Sequence, residues 1–244
     1  MPSNPKALTS SDMGHGKYID PFVAVAPQDD KNCPSEHPVC PSGHPVCHSE
    51  HPVCHSERSE ESVLRVQAGE KLELQYVVLP GESRDIDVNV DLVGPGAQAH
   101  VKVLYLSGGE EQVNIRILMH HRASGCHSTQ KIHGIAGGSA RIGFHGTIVV
   151  APDAQQTEAY QENHNIVLTP DAQVKTEPRL EIYADDVKCS HGATVGQLNA
   201  DELFYMRSRG IPEAEARTLQ MLSFLSPVIP AGREEEIEAA VRSL

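Results

Sequence analysis

The sequence predicts a mainly β protein: a solenoid of stacked strands, a parallel β-helix, followed by a small C-terminal α-helical domain. Three observations point there. Turn signals recur at nearly even intervals of about 13 to 18 residues, at Pro80-Gly81, Gly94-Pro-Gly96, Gly108-Gly109, Ser124-Gly125, Gly137-Gly138, Pro152-Asp153 and Pro170-Asp171. No helical pattern interrupts residues 63–176, which excludes ordinary βαβ units. Aromatics make up only 4% of the chain and there is no tryptophan, so small and β-branched residues must fill the core. Even spacing alone also fits a sandwich or a barrel. The Pro-Asp-Ala-Gln turn repeated at 152–155 and 170–173, with the scarcity of aromatics, favours stacked rungs.

The chain divides by composition into residues 1–62, a β core over 63–198 and helices over 199–244. Residues 1–32 are punctuated by proline and hold one short apolar piece, Phe22-Val-Ala-Val-Ala26. Residues 33–61 repeat with a period of seven, each unit opening on Cys33, Cys40, Cys47 or Cys54. Prolines inside the units exclude a regular helix, and no unit carries the paired apolar positions of a coiled-coil heptad. Four cysteines and several histidines suggest a metal tract, but thiols seven apart miss the spacing that lets neighbours share one zinc. The near-identical units read best as a low-order insertion of duplicated sequence, ending like a translated bacterial repeat element.

Within the core, alternation marks the strands. Ile86, Val88, Val90 and Leu92 alternate with Asp85, Asp87, Asn89 and Asp91; Val101, Val103 and Tyr105 with His100, Lys102 and Leu104. Val113, Ile115, Ile117 and Met119 do so against Asn114, Arg116 and Leu118. Each pattern describes a strand with one wet face. Such a coil leaves strand edges at its ends, which need a cap or a partner. Asn199 with Glu202 three residues on reads as a helix N-terminus. Gly210 fits the end of that helix and Pro212 the N1 position of the next, which carries Ala216, Leu219, Leu222 and Phe224 and stops before Pro227. A last helix from about Arg233 has Ile237, Ala240, Val241 and Leu244 on one face.

A net charge of −13 argues against nucleic acid or an anionic membrane as partner. The expectation is a cytoplasmic protein without a signal pattern or membrane span, its thiols reduced. Phosphate-loop, dinucleotide, nucleophile-elbow and zinc-protease motifs are all missing, so no catalytic residues are assigned. His120-His121, Cys126-His127 and His133 fall in turns or on the wet strand face and read as solvated. Cys189 and His191 differ: on extended chain, residues at i and i+2 share a face, so both could meet one metal or cluster. His191 is too close in sequence to serve Cys189 as an independent base, which speaks against a cysteine protease. Alone, a Cys-x-His is a weak signal, since many thiols are merely buried.

The continuous stretch from Glu162-Asn-His-Asn through Glu181-Ile-Tyr-Ala-Asp-Asp-Val-Lys-Cys189-Ser-His191-Gly-Ala-Thr-Val-Gly196 resembles the C-terminal signature of the Suf iron–sulfur cluster assembly scaffolds. Leu203-Phe-Tyr-Met-Arg-Ser-Arg-Gly-Ile211 continues the resemblance, which covers about residues 63–225. The Lys-Cys-Ser-His form matches the SufD branch; the SufB branch carries Glu-His-Glu-Ala-Thr there. The resemblance implies a right-handed parallel β-helix with a helical tail, and a non-catalytic scaffold subunit. It also implies a SufB-type paralogue at the end of the coil and a SufC-type ABC ATPase on the C-terminal helices. His191 matches the SufD histidine that helps hold a transient iron–sulfur cluster shared with the partner subunit, and Cys189 matches the neighbouring thiol. The chemistry agrees, since thiolates are soft iron ligands and imidazole a replaceable one. The coil architecture favours His191, donated across an interface, while Cys189 has an inward-packing alternative. Some Suf complexes bind flavin, for which this sequence gives no support. Members of the family are longer at the front, with a helical domain and further rungs, so a shortened scaffold is the expectation. A stand-alone metal-binding protein using the 33–61 repeat, or the remnant of a disrupted scaffold gene, are the alternatives.

Overall fold

A computed structural model describes residues 63–244, together with the backbone of one short strand, β1 (Gly16–Tyr18). The rest of residues 1–62, including the 33–61 repeat, lies outside the described residues. Ten further strands follow: β2 (Leu64–Val66), β3 (Lys71–Val78), β4 (Arg84–Leu92), β5 (Gln98–Ser107) and β6 (Gln112–His121). Next come β7 (His127–Ala136), β8 (Arg141–Val150), β9 (Thr157–Val167), β10 (Gln173–Ile182) and β11 (Val187–Gly196). Odd-numbered strands form one six-stranded sheet, β1-β3-β5-β7-β9-β11; even-numbered strands form another, β10-β8-β6-β4-β2. Every pairing is parallel. The chain therefore alternates between two faces and climbs one rung with every pair of strands, as a β-solenoid.

The rung period follows from which side chains stack. Asn114 bonds Asp85 across 29 positions, His164 bonds Thr194 across 30, and Gln161 bonds Gln130 across 31. The turn interval read from the sequence is thus half a rung: one face, then a corner. Corners are stitched rung to rung, with Gly96 N–H donating to Ser124 O and Gly125 N–H to Gln155 O. Both glycines have φ near +70° (69° and 66°), which a side chain would strain.

Alternation sorts the side chains as the sequence suggested. In the even sheet Ile86, Ile115 and Phe144 form one inward ladder, and Val90, Met119 and Ile148 another, all within 4% of full burial. In the odd sheet Ala99, Val101, Val103 and Tyr105 line the interior. Burying aliphatic ladders of this kind contributes about 25 cal/mol per Å² of apolar surface.

The expected wet face fails at one end. Leu104, assigned outward, is fully buried, and so are Leu106 and Ile135. They form a second core with Met221, Leu225, Val228, Ile237 and Val241, because the C-terminal helices pack on the outside of the odd sheet. Those helices are α1 (Ala200–Ser208), α2 (Glu213–Leu225), a 3₁₀ turn (Ser226–Val228) and α3 (Glu234–Arg242). Asn199 caps α1 by accepting from the N–H groups of Asp201 and Glu202 and donating to Glu202 Oε1, 3.1 Å away. Gly210 ends that turn at φ 88°. Pro212 stands one position earlier than expected, as the cap of α2 rather than its first helical residue; its fixed φ suits either place. The face of α2 that packs inward is Ala216, Thr218, Met221 and Leu225, while Leu219 is exposed. Among the described residues no helix is long and apolar enough to cross a membrane.

Candidate functional site at the last rung

β11 is the terminal strand of the odd sheet. It pairs with β9 on one side, and no described strand pairs with its other edge. β10 closes the even sheet in the same way. Unpaired N–H and C=O groups along such edges template the addition of another strand. Pro178 in β10 fits an edge strand, where the missing donor is tolerated. Exposed apolar side chains lie along this rung and its corner: Ile182 at 40%, Tyr183 at 61% and Val195 at 48% of full exposure.

Register fixes where the two sequence-predicted residues sit. Cys189 pairs with Ala159, which pairs with Ser128, both inward-facing and fully buried. His191 pairs with Gln161, which pairs with Gln130, also buried and inward-facing. Cys189 and His191 therefore share one face, the one that continues the coil interior. Their environments differ. Cys189 is half-buried and packs against the main core. Burial pushes its thiol pKa up, opposed by the Ala159 backbone, so the free residue stays a neutral thiol. His191 is exposed, because it lies in an inward column with no described rung above it.

Beneath His191 the interior turns polar, which the sequence reading missed. Where lower rungs carry Val101 and Val103, the upper ones carry Gln130, Gln161 and Asn163, all buried. Gln161 Nε2 donates to Gln130 Oε1 at 2.8 Å, and Asn163 Nδ2 donates to Thr176 Oγ1 at 2.9 Å. Gln161 Oε1 and Asn163 Oδ1 have no hydrogen-bond partner. Gly146 leaves room for this cluster, since a Cβ there would come within 2.2 Å of Gln161 Nε2. Buried polar atoms without partners are uncommon and costly, and they concentrate at functional sites. The signal was the run Gln161, Asn163, Asn165, polar on the side where alternation requires apolar residues.

Two other expectations need correction. His121 is fully buried and His133 is 7% exposed, not solvated. His121 continues the inward series of β6 past Met119, and His133 lies under α2, its Nδ1 2.8 Å from Phe224 O. Cys126 is buried too, its Sγ 3.4 Å from Gly94 O. Between α1, α2 and the end of β9 lies a groove of about 650 Å³, lined by Leu198, Tyr205, Met206, Leu219 and Phe224 among others. α1 buries none of its residues, leaving Phe204 at 73% and Tyr205 at 59% exposure.

The molecule is thus a parallel β-solenoid with an open last rung, a polar interior below it and helices on one outer face. Residues 56–224 match the family model of the SUF system FeS cluster assembly SufBD core domain. The chain belongs to this iron–sulfur cluster assembly family, on its SufD side. It is 35% identical over 155 residues to the iron–sulfur cluster assembly protein SufD of Escherichia coli, covering 64% of this chain and 37% of that one. Against SufD of Bacillus subtilis it is 32% identical, over 57% of this chain and 32% of the relative. A chloroplastic protein of Arabidopsis thaliana, ABCI7, is 33% identical over 74% and 38% of the two chains. The chain spans well under half the length of each of these three relatives.

Proposed function

We propose that the protein is a non-catalytic, cytoplasmic scaffold subunit for iron–sulfur cluster assembly, working beside a SufB-type subunit and a SufC-type ATPase. The single observation that carries the reading is the unpaired edge of β11 bearing an exposed His191 over a buried polar floor. A partner strand that docked there would enclose His191 and convert half a site into a whole one. The cluster is cargo: it forms at the junction and leaves. Imidazole suits that task, as a neutral and exchangeable ligand, whereas a thiolate would hold iron more firmly. Cys189 is the weaker ligand of the pair, because its thiol must lose both its proton and its packing to reach iron. The exposed Phe204 and Tyr205 of α1 suit the ATPase-facing role.

The test is reconstitution with partners from the native host. His191→Ala should lower cluster yield, read as iron and acid-labile sulfide per complex, by about 10-fold or more, with co-purification of the ATPase unchanged. Yield equal to wild type would remove the role assigned to His191.

A further inference from the structure

A second group of metal-competent side chains lies on the outer face of the odd sheet, away from the inward column of His191. His133 of β7 and His164 of β9 are register partners, their ring centroids 5.2 Å apart and their planes at 80°. Glu162, two positions before His164, shares its outward face. One donor atom from each of the three lies within 4.8 Å of the others. The hydrogen bonds around the rings decide which nitrogens are free. His133 Nδ1 is 2.8 Å from Phe224 O, a carbonyl that only accepts, so Nδ1 carries the hydrogen and Nε2 keeps the lone pair. His164 Nδ1 is 2.8 Å from Thr194 Oγ1, an arrangement that likewise leaves Nε2 for a ligand. Orientation of one imidazole nitrogen by an oxygen acceptor, freeing the other, is the usual support around a metal-bound histidine. Among the described residues Glu162 pairs with Lys131 at 3.5 Å, a loose, half-exposed pair that a dication would displace.

We propose that His133 Nε2, His164 Nε2 and the Glu162 carboxylate bind one divalent first-row transition ion, iron(II) or zinc(II). Two imidazoles and a carboxylate fit these ions, whereas calcium and magnesium prefer all-oxygen sets and copper(I) prefers sulfur. Bond lengths of about 2.0–2.2 Å require the three donors to draw closer together. The half-exposed Glu162 and His164 have the freedom to do so. Water would complete the coordination. The ion would join β7 to β9 directly, and through Phe224 and Thr194 it would also fasten α2 and β11. The proposal stands apart from the cluster-site reading, and each can fail alone.

The experiment strips the full chain with a chelator and titrates it with cobalt(II) as a spectroscopic probe. Zinc(II) and, anaerobically, iron(II) follow, with bound metal counted after gel filtration. Ions held elsewhere in the chain are common to all variants and cancel in the comparison. Wild type should hold one ion more than His164→Ala, Glu162→Gln should weaken that ion by about 10-fold or more, and His191→Ala should leave it in place. Competition between zinc and iron then assigns the ion. A far-UV β spectrum retained in His164→Ala separates ion loss from unfolding, and if that variant unfolds, Glu162→Gln decides. Equal ion counts and equal affinities in wild type and Glu162→Gln would overturn the proposal.

Discussion

His121 ends β6 turned into the coil, fully buried, with Nε2 2.8 Å from Ser128 Oγ. Desolvation drives its pKa down from 6.5 to about 4, helped by the neighbouring His120 and His127. The folded state therefore resists protonation that the unfolded chain accepts. The stabilisation is fully present above pH 6.5, the unfolded value, and is lost as pH falls towards 4. It amounts to at most about 3 kcal/mol over that window. Urea unfolding at pH 7, 5.5 and 4 should show wild type losing stability more steeply than His121→Gln, while a matching slope in both would place the acid sensitivity elsewhere. The position was legible in principle. The series Val113, Ile115, Ile117, Met119 reaches 121 at its next step, and His120 takes the outer face beside Asp91. Treating the two histidines as one polar pair hid that difference.

At the scale of the element, stacking sets local demands that a single strand does not announce. Tyr105 lies buried over Gly134 in the next rung and donates to Asn165 Oδ1 at 2.6 Å in the rung after that. A Cβ on Gly134 would sit 1.9 Å from the tyrosine ring. Gly134→Ala should accordingly cost about 1–3 kcal/mol through overpacking, measured by denaturant unfolding, and Gly134→Ala combined with Tyr105→Ala should relieve the clash. An unchanged midpoint in the single variant would mean that the ring moves aside without cost. Strands, corners and helix caps were readable from sequence because they depend on neighbours two to four positions away. Gly134 was not, because its partner is 29 positions earlier and nothing in the intervening pattern names it. The burial of Leu104 and Leu106 was hidden for a similar reason: the helices covering them arrive about a hundred residues later.

For the whole molecule, the two strand edges of the last rung, which carries the exposed Ile182 and Val195, offer a surface for assembly. Ile182→Lys together with Val195→Lys should reduce capture of a partner subunit by about 10-fold or more, with little change in the chain's own melting temperature. Each new charge would be desolvated in a complex but solvated in the free protein. Normal capture by this double variant would direct attention to the helical face instead. The architecture, the family and the shared face of Cys189 and His191 were legible in the sequence. The polar floor of Gln130, Gln161 and Asn163 was not, because those residues come together only once rungs are stacked in register.

The tail has a further consequence. After β11 the chain doubles back along the outside of the odd sheet, with Phe224 meeting His133 on β7 and Val228 O accepting from Gln75 Nε2 on β3 at 2.7 Å. The helices thus act as a lashing drawn back over the coil they finish. Tension applied at the C-terminus would meet α3, the 3₁₀ turn and α2 before it reached any strand. The rung that holds His191 is the first part of the coil such a pull would reach, and the packed helices shield it until they give way.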